Sequence, residues 1–335
     1  MPNHFPAMMR VLAAFKIQTA TIRNTAECEG GLSGAKAWKV ETHQNSFCLK
    51  LMPPDFSVNR LLAIHQAAGQ RRTNGMSYLA GYLSAASGET YVELDGGLWE
   101  LQTWMDGQPP SVPYSAPQKK AMFRAIGEFH ARHERPPAET AVSPGIARRI
   151  ELCEKWRLKY EKHLFPSLHH YGDPQWKPML EQCLDSFAHY HARLGALLLS
   201  CEHEMYVLED CIADPRPENF RFDADQLTGL FDLGSMRWDN IALDVSRLAG
   251  EVSDDGEVDW DFAFQAVNST RRLTPSEERL AKVLDAANVL LTGLNWVQWL
   301  VEEGISFANC NHVSMRLTHL LARLEKIEKH PAWKL

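Results

Sequence analysis

The sequence predicts an α+β protein of two lobes: an antiparallel β-rich N-terminal lobe carrying one helix, and a mainly helical C-terminal lobe. Three observations predict it. Hydrophobic periodicity changes near Gly107 from two-residue alternation to helical spacing, Gln108-Pro109-Pro110 and Pro113 mark a connector at the change, and 335 residues suit two lobes at about 150 residues each.

Strands are expected over Ala37–Glu41, over 47–52 where Phe47, Leu49 and Leu51 alternate with Cys48, Lys50 and Met52, and over Tyr91–Leu94 and Leu98–Trp104. Asn45-Ser46 supplies one turn. Asp95-Gly96-Gly97 supplies a hairpin, because glycine tolerates positive φ. Between them Leu61, Leu62, His65 and Ala68 recur at helical spacing in Val58–Arg72, and Asn74-Gly75 ends that helix. Beyond the connector three sets of residues mark core-facing helices: Met122, Ile126 and Phe129; Leu180, Leu184, Phe187, Leu194 and Leu198; Leu317, Leu320, Leu321, Leu324 and Ile327. Thr274-Pro275-Ser276-Glu277 reads as a capping box opening a helix towards Glu303. Short strand-like pieces at Tyr206–Glu209, Phe220–Phe222 and Thr228–Phe231 interrupt the helical half. The expected lobes are residues 1–105 and 106–335.

Composition narrows the function. The chain is 45% hydrophobic and 23% charged, as in ordinary globular proteins. Its net charge of -7 repels nucleic acid and anionic membrane, so neither is expected as a partner. Cys28, Cys48, Cys153, Cys183, Cys201, Cys211 and Cys310 are scattered without a C-x-x-C, which reads as reduced thiols rather than disulfides or zinc ligands. The apolar run Val11–Phe15 is too short for a signal, and a cytoplasmic protein is expected. No sequence feature specifies an oligomeric state.

Three motifs carry chemistry. Gly30-Gly31-Leu32-Ser33-Gly34 fits neither a Walker P-loop, nor G-x-G-x-x-G, nor G-x-S-x-G. It reads as a plain hairpin or as a turn whose N–H groups approach phosphate. Lys50, on the face opposite Phe47, Leu49 and Leu51, is either a solvated edge residue or a cation in a cleft. The stretch Ile212–Phe222, followed by Gly229–Gly234, is the most specific. In it Asp214 can orient or deprotonate a hydroxyl or amine, and Asn219 and Asp232 offer the hard oxygens that Mg2+ prefers.

With these pieces in this order, the chain resembles the aminoglycoside phosphotransferase and choline kinase-like branch of the protein-kinase-like superfamily. Gly30–Trp38 matches the glycine-rich loop, Lys50 the nucleotide lysine, Trp99–Gly107 the hinge, Asp214–Asn219 the catalytic loop and Asp232-Leu233-Gly234 the metal-binding segment. The resemblance implies a two-lobed protein-kinase-like fold, with ATP and Mg2+ as cofactors. It implies transfer of the γ-phosphoryl group to a hydroxyl of a small acceptor of aminoglycoside, amino alcohol, sugar or homoserine type. Gly31, Ser33, Gly34 and Lys50 would bind the nucleotide phosphates, while Thr103 and Met105 would present backbone groups to adenine. Asp214 would be the base or alcohol-positioning carboxylate, with Arg216 stabilising transferred charge, and Asn219 and Asp232 would bind Mg2+. Asp244, in Leu243–Leu248, matches the family's bracing segment, and His130 a structural position of its first C-lobe helix.

Two departures stand out. Ile212 replaces the family's usual histidine or arginine, and Val58–Arg72 holds no glutamate for Lys50; Arg60 stands about where one is expected. They support an alternative, a pseudokinase-like interaction module of the same fold with little or no phosphotransfer. Only eleven residues separate Asp232 from Asp244, too few for a protein kinase's activation loop. For the acceptor, Asp254, Asp255, Glu257, Asp259 and Asp261 with Trp260 and Phe262 form either a cation site or a solvated helix start. Trp296 and Trp299 either line a pocket or pack in the core, and His169-His170 is expected in an exposed loop.

Overall fold

The alternating segments form a five-stranded antiparallel sheet, in the order β1-β2-β3-β5-β4, in the computed structural model, which describes residues 4–28, 34–131, 140–160, 164–307 and 310–335. Helix α1 (Phe5–Ala14) precedes β1 (Ile22–Glu27), β2 (Lys36–Thr42), β3 (Ser46–Leu51), α2 (Val58–Thr73), β4 (Val92–Leu94) and β5 (Gly97–Thr103). Asp95 (φ 51°) and Gly96 (φ 74°) make the β4–β5 turn, with positive φ at both central positions as a type I′ hairpin requires. Ser57 caps α2 by accepting from Arg60 N–H at 3.2 Å, and Gly75 (φ 99°) follows its end. Val11 and Leu12 of α1, with Phe15 just after it, pack on Trp38, Val40, Leu49, Trp99 and Leu101, and the Trp38 and Trp99 rings stack at 5.7 Å. Sequence reading missed α1 and β1. β1 is an edge strand that leaves most of its side chains exposed and pairs through its backbone with β2, so it carries no alternation.

The chain continues through α3 (Ala116–Ala131), β6 (Thr140–Val142), α4 (Pro144–Lys159), α5 (Phe165–His170), α6 (Lys177–Leu199), β7 (Met205–Val207) and β8 (Glu209–Cys211). Then come β9 (Phe220–Asp223), β10 (Gln226–Leu230), β11 (Arg237–Asp239), α7 (Ala242–Glu251), α8 (Trp260–Asn268), α9 (Pro275–Val297) and α10 (Cys310–Glu325). The capping box of α9 is present: Glu277 N–H donates to Thr274 Oγ1 at 3.2 Å, and Thr274 N–H to Glu277 Oε2 at 2.9 Å. From Leu280 to Val297 this helix is buried on almost every face, so it is the centre of the helical core, and a π-helical turn (Gln298–Glu302) extends it. His169 and His170 are exposed as expected but end α5 instead of lying in a loop, because Pro166 suits that helix's first turn.

Packing divides the described chain into two compact units. One holds 4–110 with Glu218–Ser235; the other holds Ser111–Ala131, 140–217 and Met236–Leu335. A single cut at 105/106 therefore differs from the packing, which sets the β9–β10 hairpin with the first unit. Backbone bonds cause this: Leu230 N–H donates to Tyr78 O (2.7 Å), Ala80 N–H to Leu230 O (2.8 Å), and Gln108 and Phe222 exchange two bonds of 2.8 Å. Gly107 (φ 109°) permits the approach, since a Cβ there would lie 2.7 Å from Phe222 O. Among the described residues no helix is long and apolar enough to cross a membrane.

Candidate active site

In the first unit Lys50 lies within β3, paired with Ala37 of β2 and Glu100 of β5. Its Nζ donates to Asp232 Oδ1 at 2.7 Å. Burial pulls the Lys50 pKa down, but the carboxylates of Asp232 and Glu100 outweigh it and raise it above the ordinary value, so the ammonium stays charged. Glu100 is buried and shared: Oε2 lies 2.8 Å from His65 Nε2, and Gln102 Nε2 donates to Oε1 at 2.5 Å. His65 also hydrogen-bonds Thr90 Oγ1 at 2.6 Å and stacks on Tyr82 at 3.8 Å. Helix α2 thus has no acid for Lys50 but holds, through His65, an acid on the neighbouring strand. Arg60, at the position where a glutamate was expected, ties α2 to the Asp232-Leu233-Gly234 segment by donating from Nη2 to Gly234 O at 2.8 Å.

The hairpin brings the two expected metal ligands onto neighbouring strand ends. Asn219 precedes β9, Asp232 follows β10, and Phe231 N–H donates to Asn219 O at 3.1 Å. Asp232 has φ 63°, a left-handed conformation that costs a non-glycine residue about 1–3 kcal/mol and recurs at functional sites. Its half-exposed carboxylate and the Asn219 amide supply the hard oxygen donors that suit Mg2+. Of the expected hinge, Trp99–Thr103 belongs to β5, and the Thr103 N–H is already donated to Gly81 O at 2.8 Å. Met105 follows the strand, and a Cβ at Gly229 would lie 2.6 Å from its Cβ. Gly31 and Ser33 lie outside the described residues; Gly34 has φ 75°.

In the second unit the segment that leads into Asp214 hangs on Asp244, fully buried in the first turn of α7. Its Oδ2 accepts from Ile212 N–H at 2.8 Å, its Oδ1 from Ala213 N–H at 2.6 Å, and His130 Nε2 of α3 lies 2.9 Å away. His130 Nδ1 is 3.2 Å from Glu209 Oε1. Burial lowers the His130 pKa, yet Glu209 and Asp244 raise it to about 8. This brace holds the chain through the backbone at 212 and 213, and the Ile212 side chain itself joins the core. Ala213, at φ 68°, is fixed in the left-handed region by the same carboxylate.

Asp214 follows, with both oxygens engaged: Arg216 Nε donates to Oδ2 at 2.8 Å and Arg247 Nε to Oδ1 at 2.7 Å. Arg216 therefore faces the carboxylate rather than standing free. Glu251 holds Arg247 at 3.0 Å and Arg316 of α10 at 2.7 Å. Burial raises the Glu251 pKa, but Arg247, Arg316 and Arg216 outweigh it and hold the carboxyl at about 2. Sequence reading missed Arg247 and Glu251. Their signal was spacing: they stand three and seven residues after Asp244, on one face of α7. The acidic stretch is a helix start, with Asp254 paired to Lys119 at 2.5 Å and Asp259 capping α8 through Phe262 N–H at 3.0 Å. Trp296 and Trp299 pack edge-on at 5.3 Å, with Phe307 against both.

Residues 25–283 match the phosphotransferase enzyme family. No curated protein matches the chain in sequence. Among solved structures, a spectinomycin phosphotransferase in complex with ADP and spectinomycin is 13% identical, with TM-score 0.61 over 93% of this chain and 94% of its own. A microcompartment-associated aminopropanol kinase is also 13% identical, with TM-score 0.61 and 97% of each chain covered. A choline kinase from Streptococcus pneumoniae is 12% identical, with TM-score 0.52 over 98% of this chain and 99% of its own. These likenesses show a common kinase-like fold from end to end. The family match spans every residue from Lys50 through Asp214 to Asp232, and on it the chain belongs to the phosphotransferase enzyme family.

Proposed function

We propose that the protein is an ATP- and Mg2+-dependent kinase that transfers the γ-phosphoryl group to a hydroxyl of a small acceptor. The observation that carries this reading is the 2.7 Å pair between Lys50 and Asp232, a strand lysine joined to a carboxylate 182 residues away on the hairpin that also carries Asn219. Lys50, permanently cationic, binds the nucleotide phosphates. Asn219 and Asp232 would hold Mg2+, which when bound offsets charge on the phosphate oxygens. Met105, rather than Thr103 with its committed N–H, presents backbone to adenine. Asp214 orients the acceptor hydroxyl and takes its proton as the oxygen bonds to the γ-phosphorus of ATP and ADP departs. Two arginines leave it room for this, because a carboxylate has about four acceptor positions. The kinase-like neighbours that hold ADP or AMP-PNP with Ca2+ support a nucleotide in this fold. The Asp244 brace and the Arg60 tie offset the two departures that suggested an interaction module. Unbridged cysteines and a need for ATP fit the cytoplasm.

Thermal unfolding with ATP, with and without Mg2+, tests the reading. A ligand at 100 times its Kd adds about 2.7 kcal/mol of stability, so a Mg2+-dependent rise in Tm is expected. Asp232→Ala should lose the Mg2+ dependence. Absence of any nucleotide shift in the unaltered chain would refute the proposal.

A further inference from the structure

Two cations compete for Asp232. Its Oδ1 accepts from Lys50 Nζ at 2.7 Å, and the same carboxylate, with the Asn219 amide, would hold Mg2+. A carboxylate that turns to a divalent ion loosens its grip on a neighbouring ammonium, because the doubled charge outbids the single one for the same oxygens. Lys50 then needs a counter-charge that stays in place, and the strand register supplies it. Glu100 of β5 is the direct partner of Lys50 in β3, so both side chains leave the same face of the sheet, with Cβ atoms about 4.5–5.5 Å apart. That face is the one α2 covers: Met52 and Leu98, in phase with Lys50 and Glu100, pack with Leu61 of that helix, whereas Leu49, Trp99 and Leu101 at the alternate positions pack with α1. Glu100 is 2% exposed and is fixed from two sides, Oε2 by His65 Nε2 of α2 at 2.8 Å and Oε1 by Gln102 Nε2 of its own strand at 2.5 Å. Thr90 Oγ1 at 2.6 Å and the Tyr82 ring hold His65 in turn. These bonds use two of the roughly four acceptor positions of a carboxylate, which leaves Glu100 able to receive an ammonium.

We propose that Glu100, anchored by His65, is the fixed counter-charge of Lys50 and takes over the ammonium when the Asp232 carboxylate turns to Mg2+. The Lys50–Asp232 pair is then the metal-free arrangement and a Lys50–Glu100 pair the metal-loaded one, and the lysine keeps its aim at the nucleotide phosphates through the exchange. Glu100 and His65 are positioning residues that act through Lys50. The acid that α2 lacks is thus divided in two: a strand carries the charge, and the helix carries its anchor. The inference rests on the kinase reading and adds to it what holds Lys50 once the metal is bound.

Calorimetric titration of the full chain with ATP, in Mg2+ and in EDTA, tests the exchange. Glu100→Gln keeps the shape of the side chain and removes its charge. It should weaken ATP binding about tenfold in Mg2+ and less than about twofold in EDTA, where Asp232 still holds the lysine. In a Lys50→Ala background the same substitution should cost nothing further, because Glu100 acts only through the lysine. His65→Leu, which removes the anchor and leaves the charge, should show the same metal-dependent loss, and it carries the comparison if Glu100→Gln fails to fold. A purely structural role would weaken binding equally with and without the metal. Equal losses in the two conditions, an unchanged affinity in Mg2+, or a loss that persists in the Lys50→Ala background would overturn the proposal. Failure of the unaltered chain to bind ATP in either condition sinks the kinase reading and this inference with it, whereas ATP binding that the variants leave insensitive to the metal sinks this inference alone.

Discussion

Lys50 owes its charge to two carboxylates of different kinds. Asp232 is half exposed and bonds it directly, whereas Glu100 is buried on the adjacent strand and held by His65 and Gln102. Lys50→Ala should therefore raise the apparent KM for ATP or lower kcat, and wild-type steady-state kinetics would remove Lys50 from the nucleotide site. Asp214→Asn should retain ATP binding, because the Lys50–Asp232 pair is untouched, and lose about 10²–10⁴-fold in turnover, the usual contribution of a positioned base. Unchanged turnover would reassign Asp214 to loop structure. At this scale the residues in motifs were legible from the sequence, because each is a rare residue type at a fixed offset. Glu100, Arg247 and Glu251 were not: they sit in ordinary strand and helix patterns, and only tertiary packing joins them to Lys50 and Asp214.

The brace between α3, α7 and the backbone at Ile212 and Ala213 has a pH dependence of definite sign. His130 has an ordinary pKa of 6.5 and a folded value of about 8, so the native state binds its proton more tightly than the unfolded chain. The resulting stability is full below pH 6.5 and is lost as pH rises through 8, about 2 kcal/mol across the window. Urea unfolding of the protein at about pH 6.5 and about pH 9 should show this loss, and His130→Gln should flatten it; an equal slope in the variant would place the dependence elsewhere. Elements with strong local signals were readable in advance. The capping box at Thr274, the Asp95-Gly96 turn and helix α2 lie where their residues placed them. Edge strand β1 and the split of the expected Tyr206–Glu209 piece into β7 and β8 were hidden, because backbone pairing and not side-chain alternation defines them.

Across the whole chain, the candidate site residues do not follow one continuous stretch: Lys50, Asn219 and Asp232 belong to the first unit, and Asp214 with its arginines to the second. The change of periodicity near Gly107 could not show that a later hairpin returns to the first unit, since that return is made by backbone bonds at Tyr78, Ala80 and Gln108. A fragment of residues 1–110 should consequently lack a cooperative transition in circular dichroism melting, while adding residues 111–235 should not suffice unless the helical unit also folds. A sharp, reversible melt of the short fragment would contradict this. The hairpin also sets an order of events during synthesis. A ribosome adds about 5–20 residues per second, so the backbone groups of Tyr78 and Ala80 wait several seconds for their partner until Leu230 has been made. The packing of the nascent N-terminal unit is thus completed only by translation of a segment more than a hundred residues downstream.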